Sequence, residues 1–190
     1  MKELERASIS TLEVAQSIGK VVIVTNAKME WVRFSMVTFL HGLYEFVVEE
    51  KIPILSAQDV FGSDCSNPVL WKISTFRHLL LSCEDLPRNL ISVGDGMHER
   101  IAYNAACNEF GVPGIHIRFK ANPTLQELTL QLNCLRTTLE NIPDMSITTK
   151  CFMRMVSSCD ETAFEEHHAG EEEALGWVES AASDTDMVVA

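Results

Sequence analysis

Four short apolar runs constrain this chain more than any other feature. They are VVIVTN at 21–26, IPILSA at 52–57, LISVGD at 90–95 and IHIRFK at 115–120. Each is too short for a helix of ordinary length, and each is rich in β-branched residues and apolar at successive positions. That pattern belongs to strands covered on both faces.

The stretches between them carry helical periodicity. In residues 3–18, Ile9, Leu12, Ala15 and Ile18 recur at three-residue spacing, and Gly19 follows as a stop. Val32, Met36, Phe39, Leu43 and Val47 predict one helix over 29–47. Pro68 opens a third helix that runs to about Cys83, and a fourth spans Met97 to about Phe110 before the turn GVPG. Asn122 and Pro123 read as the cap and first turn of a fifth helix, with Leu125, Leu128, Leu132, Leu135 and Leu139 on one face. Strands alternating with helices at short spacing predict an α/β fold, a parallel sheet with helices on both sides.

After about residue 145 the pattern stops. MSITTKCFMRM predicts one short extended segment. From Met155 to Ala190 there are ten acidic residues and no Lys or Arg, while the other 154 residues hold 17 acids and 15 bases. The net charge of −12 is therefore largely a property of the tail. The expected organisation is a core over 1–144 and an acidic, disordered extension over 145–190, a possible protein-docking tail through Phe164 and Trp177. A backbone of nucleic-acid phosphates demands a basic face, which this composition does not supply. No apolar run reaches membrane-spanning length. Six cysteines without a CxxC pair predict free thiols in a reducing cytoplasm.

Active sites of open parallel sheets gather at the carboxyl ends of the strands. Three polar signals fall there. Thr25 and Asn26 end the first run, and a threonine hydroxyl with nearby backbone amides suits phosphate oxygens. Lys72 lies in the helix after the second run and offers a point charge to a phosphoryl group. Asp95 ends the third run, and Glu99 follows four residues later, a pair of hard oxygen donors suited to Mg²⁺. Each residue also has a plain structural use. Asp95 can cap the next helix, Lys72 can sit on a solvated face, Thr25 can simply end a strand, and Glu99 can join a helical ion pair. His98 reads as a surface histidine, and Trp31 and Trp71 read as packing residues.

In order, VVIVTNA, PVLWK and LISVGDGMHE resemble the second, third and fourth motifs of the haloacid-dehalogenase-like (HAD-like) hydrolases. The resemblance spans roughly residues 3–142. It implies a three-layer Rossmann-like core and a Mg²⁺-dependent phosphatase. In that family Thr25 and Asn26 would hold the phosphoryl group, Lys72 would neutralise charge, Asp95 would bind the metal, and Glu99 would support the metal shell.

One part of the family pattern is missing. Its first motif is a strand ending in DxDxT, whose first aspartate is the nucleophile and whose second is the acid–base group. Here the first aspartate of any kind is Asp59, and the acids before Thr25 are Glu3, Glu5 and Glu13 in the opening helix. The strand that bears the motif is central in the family's sheet, so its absence predicts a gap between the strands at 21–26 and 90–95. MSITTKCFM is the one spare stretch that offers to fill it. The expectations are therefore an incomplete or degenerate phosphatase domain, inactive as it stands, or a pseudo-phosphatase that works as a protein-interaction module. The first reads the chain as a fragment or incomplete gene model of a longer protein. A dinucleotide-binding module is disfavoured, because no GxGxxG follows the first run.

Overall fold

The computed structural model of the chain describes residues 1–142 and, as main chain, residues 150–154 and 187–189. Helix α1 (Lys2–Ile18) leads into β1 (Lys20–Val21) and β2 (Ile23–Thr25), followed by α2 (Met29–Phe39), α3 (His41–Glu49) and β3 (Ile54–Ser56). Then come α4 (Ala57–Phe61), α5 (Pro68–Leu81), β4 (Asn89–Gly94), α6 (Met97–Phe110), β5 (Gly114–Arg118) and α7 (Leu125–Asn141). Strands β6 (Lys150–Arg154) and β7 (Met187–Val189) complete the described chain. The protein is α/β, and every strand pairing is parallel.

The strands form a five-stranded sheet, β1-β7-β4-β5-β6, and a two-stranded sheet, β2-β3. Val22 alone separates β1 from β2, so one run of chain serves both sheets. β7 pairs with β1 on one side and β4 on the other. The position expected to be a gap is thus held by residues from the far end of the chain. The extended segment expected near 145–155 does form a strand, β6, but it pairs at the outer edge of β5 and fills no gap. The remainder of the predicted tail, with Phe164 and Trp177, lies outside the described residues.

Alternation along the strands sends side chains into two apolar clusters. Ile91, Ile115 and Ile117 join Ala15 of α1, Val47 of α3, and Leu135 and Leu139 of α7. Leu90 joins Phe76 and Leu80 of α5 and Ala102, Tyr103, Ala106 and Cys107 of α6. Helix α5 begins at Pro68, with the Asn67 side chain accepting from the Val69 amide. Helix α6 stops at Gly111, whose φ of 67° is the left-handed end that glycine supplies.

Three local expectations change. The single helix over 29–47 is broken at Leu40 (φ −139°, ψ 54°), between α2 and α3. The Glu5 carboxylate of α1 accepts from the Gly42 and Leu43 amides at 2.9 and 3.4 Å, which satisfies the new helix start from 37 residues away. Phe39 turns outward as a result and is exposed. Second, α4 follows β3 directly, where the sequence reading places no helix, capped by Ser56 Oγ accepting from the Asp59 amide. Third, α7 is capped by Thr124, not Asn122. Thr124 and Glu127 exchange reciprocal hydrogen bonds, and Asn122 sits in the left-handed region at φ 51°. On α7, Leu125 is exposed and Gln131 is buried, its Oε1 accepting from the Lys120 amide. Among the described residues no helix is long and apolar enough to cross a membrane.

Candidate functional site

The carboxyl ends of β2 and β4 bring the predicted residues onto neighbouring elements. β2 ends at Thr25, whose Oγ1 accepts from the Ala27 amide at 3.0 Å. This closes a tight turn and leaves the hydroxyl proton available to a ligand. Asn26 Nδ2 reaches the Pro68 carbonyl at 3.4 Å, a long contact between the end of β2 and the first residue of α5. The Asn26 Oδ1 is buried without a protein partner among the described residues.

Lys72 is one turn into α5. The alternative of a lysine on a solvated face does not hold, because Lys72 is only 6% exposed. An ammonium that deep requires a counter-charge. Glu99 of α6 provides it, pairing with Lys72 Nζ through Oε1. The other oxygen, Oε2, accepts from the Gly96 amide at 3.1 Å. Burial pushes the Glu99 carboxyl up, but the Lys72 hydrogen bond and charge, with the backbone amides of Glu99 and Gly96, outweigh it and hold the pKa below the ordinary value.

Gly94 makes this pairing possible. A Cβ there would lie 2.2 Å from Glu99 Cγ, so a larger residue would push Glu99 off the end of β4. The glycine of the GD pair therefore has a packing reason that belongs to this chain.

Asp95 is exposed, and among the described residues no hydrogen bond holds its carboxylate. Asp95 and Glu99 thus differ in kind, one facing solvent and one committed to the protein. The donor set does not fit Mg²⁺ as it stands. Both Glu99 oxygens are engaged, and no group of three His, Cys, Asp or Glu side chains able to hold a metal occurs among the described residues. Ligation by Glu99 would require Lys72 to leave its partner. His98 is exposed, in keeping with a surface histidine.

A buried polar layer underlies the ion pair. Ser92 of β4 and His116 of β5 face one another, with Oγ and Nδ1 3.2 Å apart. The Tyr103 ring lies 5.6 Å from the His116 ring. Burial holds the His116 pKa down at about 4. The Glu99 charge works against that shift, and Arg100 and Arg118 add to it. His116 is accordingly neutral near pH 7 and is no general acid there. Sequence reasoning did not single out this pair. The available signal was a polar residue in the middle of two otherwise apolar strands, LISVG and GIHIR.

A carboxylate that sequence reasoning left aside also lies close by. Asp59 Oδ2 accepts from the Met29 amide at 2.8 Å, at the start of α2. Together these groups offer a hydroxyl, an amide oxygen, a paired lysine and one exposed carboxylate. They can hold and orient an anion. The chain matches no known protein-family model, no curated protein and no solved structure.

Proposed function

We propose that this chain is a HAD-like, phosphatase-derived domain that retains the phosphoryl-binding side of its site and lacks the nucleophile. On this reading the α/β architecture is the three-layer core of that superfamily, and the domain does not hydrolyse phosphate esters by itself. One observation carries the reading. Thr25, Asn26, Lys72 and the Gly94–Glu99 turn lie at the carboxyl ends of parallel strands, joined through Asn26–Pro68 and Lys72–Glu99.

In this proposal Thr25 donates to a phosphoryl oxygen, and the Asn26 backbone supports it. Lys72 supplies positive charge, shared with Glu99. Asp95 would touch Mg²⁺ at most weakly and through water, because Glu99 is occupied. A cytoplasmic setting accompanies the reading and rests on the unpaired spacing of the cysteines.

The experiment is a titration of the full chain with inorganic phosphate, followed by backbone NMR, beside an assay with Mg²⁺ and an aryl phosphate. The expected result is saturable shifts at Thr25–Ala27 and Gly94–Gly96, reduced in Lys72→Met, with no turnover above buffer. Absence of shifts would remove the phosphoryl reading. Turnover abolished by Asp95→Ala would overturn the claim of inactivity.

A second reading, a pseudo-phosphatase that acts as a protein-interaction module, is favoured by a separate observation. Helix α2 has no fully buried residue, and it exposes Trp31 (60%), Phe34 (56%), Val37 and Phe39. Isolated surface apolar residues are ordinary, but a contiguous set with paired aromatic rings marks contact surfaces. A domain of this second kind would bind a partner protein whether or not it bound phosphate.

A further inference from the structure

Three contacts tie the candidate site together, and each has a large exposed apolar side chain close by in the chain. The Met29 amide of α2 donates to Asp59 of α4, and the Asn26 side chain donates to the Pro68 carbonyl at the start of α5. The Glu99 carboxylate joins Lys72 of α5 to the Gly96 amide ahead of α6. Trp31 follows Met29 by two residues, and Val60 is next to Asp59. Leu70 follows Pro68 by two residues, and Met97 is next to Gly96. These four side chains are between 46 and 60% exposed.

Chain direction explains the grouping. Helix α2 starts beyond the carboxyl end of β2, α4 beyond that of β3 and α6 beyond that of β4, while α5 follows α4 through the loop 62–67. The opening turns of these helices share the edge of the parallel strands at which Thr25 and Gly94 end, the edge where ligands of open α/β sheets bind. Single apolar residues scattered over a surface are ordinary. Here they fall beside the contacts that hold one polar centre. Small-molecule sites have that composition, a few convergent polar groups for orientation and apolar or aromatic side chains for contact area. Phe34 backs the Trp31 ring, with centroids 5.7 Å apart.

We propose that the ligand of this site is a phosphate monoester of a large apolar alcohol, with its phosphoryl group at Thr25 and Lys72 and its apolar group against Trp31, Val60, Leu70 and Met97. This ligand class rests on the phosphoryl reading and deepens it, by naming what the phosphoryl group is attached to. A sugar or polyol phosphate would press hydroxyls against these side chains without hydrogen-bond partners, a cost that an apolar group avoids. An aryl and an alkyl ester share the required chemistry. An indole and a thioether favour the aryl group by a small margin.

The test titrates the full chain with methyl-, benzyl- and hexylphosphonate, which carry one headgroup and resist hydrolysis, and follows backbone and indole NMR signals. The expected result is shifts at Thr25–Ala27 with all of them, and binding of the benzyl and hexyl compounds roughly tenfold tighter than methyl, as burial of several apolar carbons provides. The two larger compounds should also shift the Trp31 indole. Tighter binding of benzyl than of hexyl assigns an aryl ester, and the reverse assigns an alkyl ester. In Trp31→Ser and in Leu70→Ser the ratio of methyl to benzyl dissociation constants should fall toward unity. Leu81→Ser, at the far end of α5, removes an equally exposed leucine and should leave the ratio unchanged. Urea unfolding of each variant checks that it is folded. Equal affinity for all the phosphonates, a ratio that survives both Trp31→Ser and Leu70→Ser, or a ratio lost in Leu81→Ser as well would overturn the proposal and leave the phosphoryl reading standing. No shift at Thr25–Ala27 with any phosphonate would remove both.

Discussion

The two sheets are built to different standards. Around β4 and β5, Leu90, Ile91, Ser92, Ile115, His116 and Ile117 are all buried, with helices α5 and α6 packed on one cluster and α1, α3 and α7 on the other. The β4–β5 ladder matches five residue pairs. Around β2, the ladder to β3 matches three pairs, no β2 residue is fully buried, and α2 buries nothing completely. The difference lies in partners rather than composition. Val24 and Val93 are equally apolar, and Phe34 is as hydrophobic as Phe76. Phe76 meets β4 and α6, whereas Phe34 meets solvent and the Trp31 ring at 5.7 Å. Stability is expected to concentrate in the first region and contact function in the second.

The sharpest way to break that comparison is a cavity in the first region. Ile117 is fully buried between β4 and the α7 face. Ile117→Ala should cost about 2–5 kcal/mol, as large-to-small changes in a packed core do. Urea unfolding measures it. A cost below about 1 kcal/mol would mean that the β4–β5 region is not the stable half.

A second test uses pH on the same region. His116 is 1% exposed and titrates at about 4, against 6.5 unfolded. As pH falls below 6.5 the unfolded chain takes up a proton before the native one does. The contribution of neutral His116 is therefore complete above pH 6.5 and is lost as pH falls toward 4. That window should remove about 3 kcal/mol of stability. In His116→Gln, which keeps a polar partner for Ser92, the slope of stability between pH 4 and 6.5 should flatten. An unchanged slope would show that another group titrates there.

Much of the framework was legible because it is local. All four apolar runs contain strands, and the helix start at Pro68 and the stop at Gly111 fall where turn chemistry places them. The unread parts depend on residues remote in sequence. The break at Leu40 answers to Glu5, and the strand between β1 and β4 is supplied by Met187–Val189, inside a segment whose composition predicts disorder. Trp31, read as a packing residue, is exposed, because among the described residues no second layer covers its face of α2. At the site, Lys72 and Glu99 each suit phosphoryl chemistry by sequence, and Glu99 an ion pair as well, but the sequence does not mark Lys72 as its partner. That pairing requires α5 and α6 to be adjacent and Gly94 to lack a side chain. The Trp71 reading as a packing residue fits its indole donating to the Cys65 carbonyl at 2.6 Å.

The ion pair joins α5 to α6 within the first region and allows a smaller test. Lys72→Met leaves the Glu99 carboxylate with the Gly96 amide alone and should cost about 2 kcal/mol at neutral pH, typical of a lost hydrogen bond to a charged group. Adding Glu99→Gln should recover part of that loss. The sign with pH is definite. The Glu99 pKa is held below 4.5, so its contribution is present above 4.5 and lost as pH falls through the lower native value. In Lys72→Met the burial that now opposes ionisation should dominate and raise the Glu99 pKa. Side-chain carboxyl shifts by NMR would detect it. A pKa unmoved in the variant would mean that Lys72 does not hold Glu99 in solution.

The smallest effect belongs to α2. Trp31→Ser and Phe34→Ser remove exposed rings, so each should change unfolding free energy by no more than about 0.5 kcal/mol. Their near-neutrality is the informative result, because a face that contributes nothing to folding is free to be used for contact. A cost above about 1.5 kcal/mol for Phe34→Ser would show that α2 packs against something in solution and would dissolve the contrast between the two sheets. Self-association by sedimentation should be read on the same samples. If the wild-type chain dimerises and Phe34→Ser does not, the face is used between copies. If both are monomeric, the exposed rings remain open to a different protein, as the interaction-module reading requires.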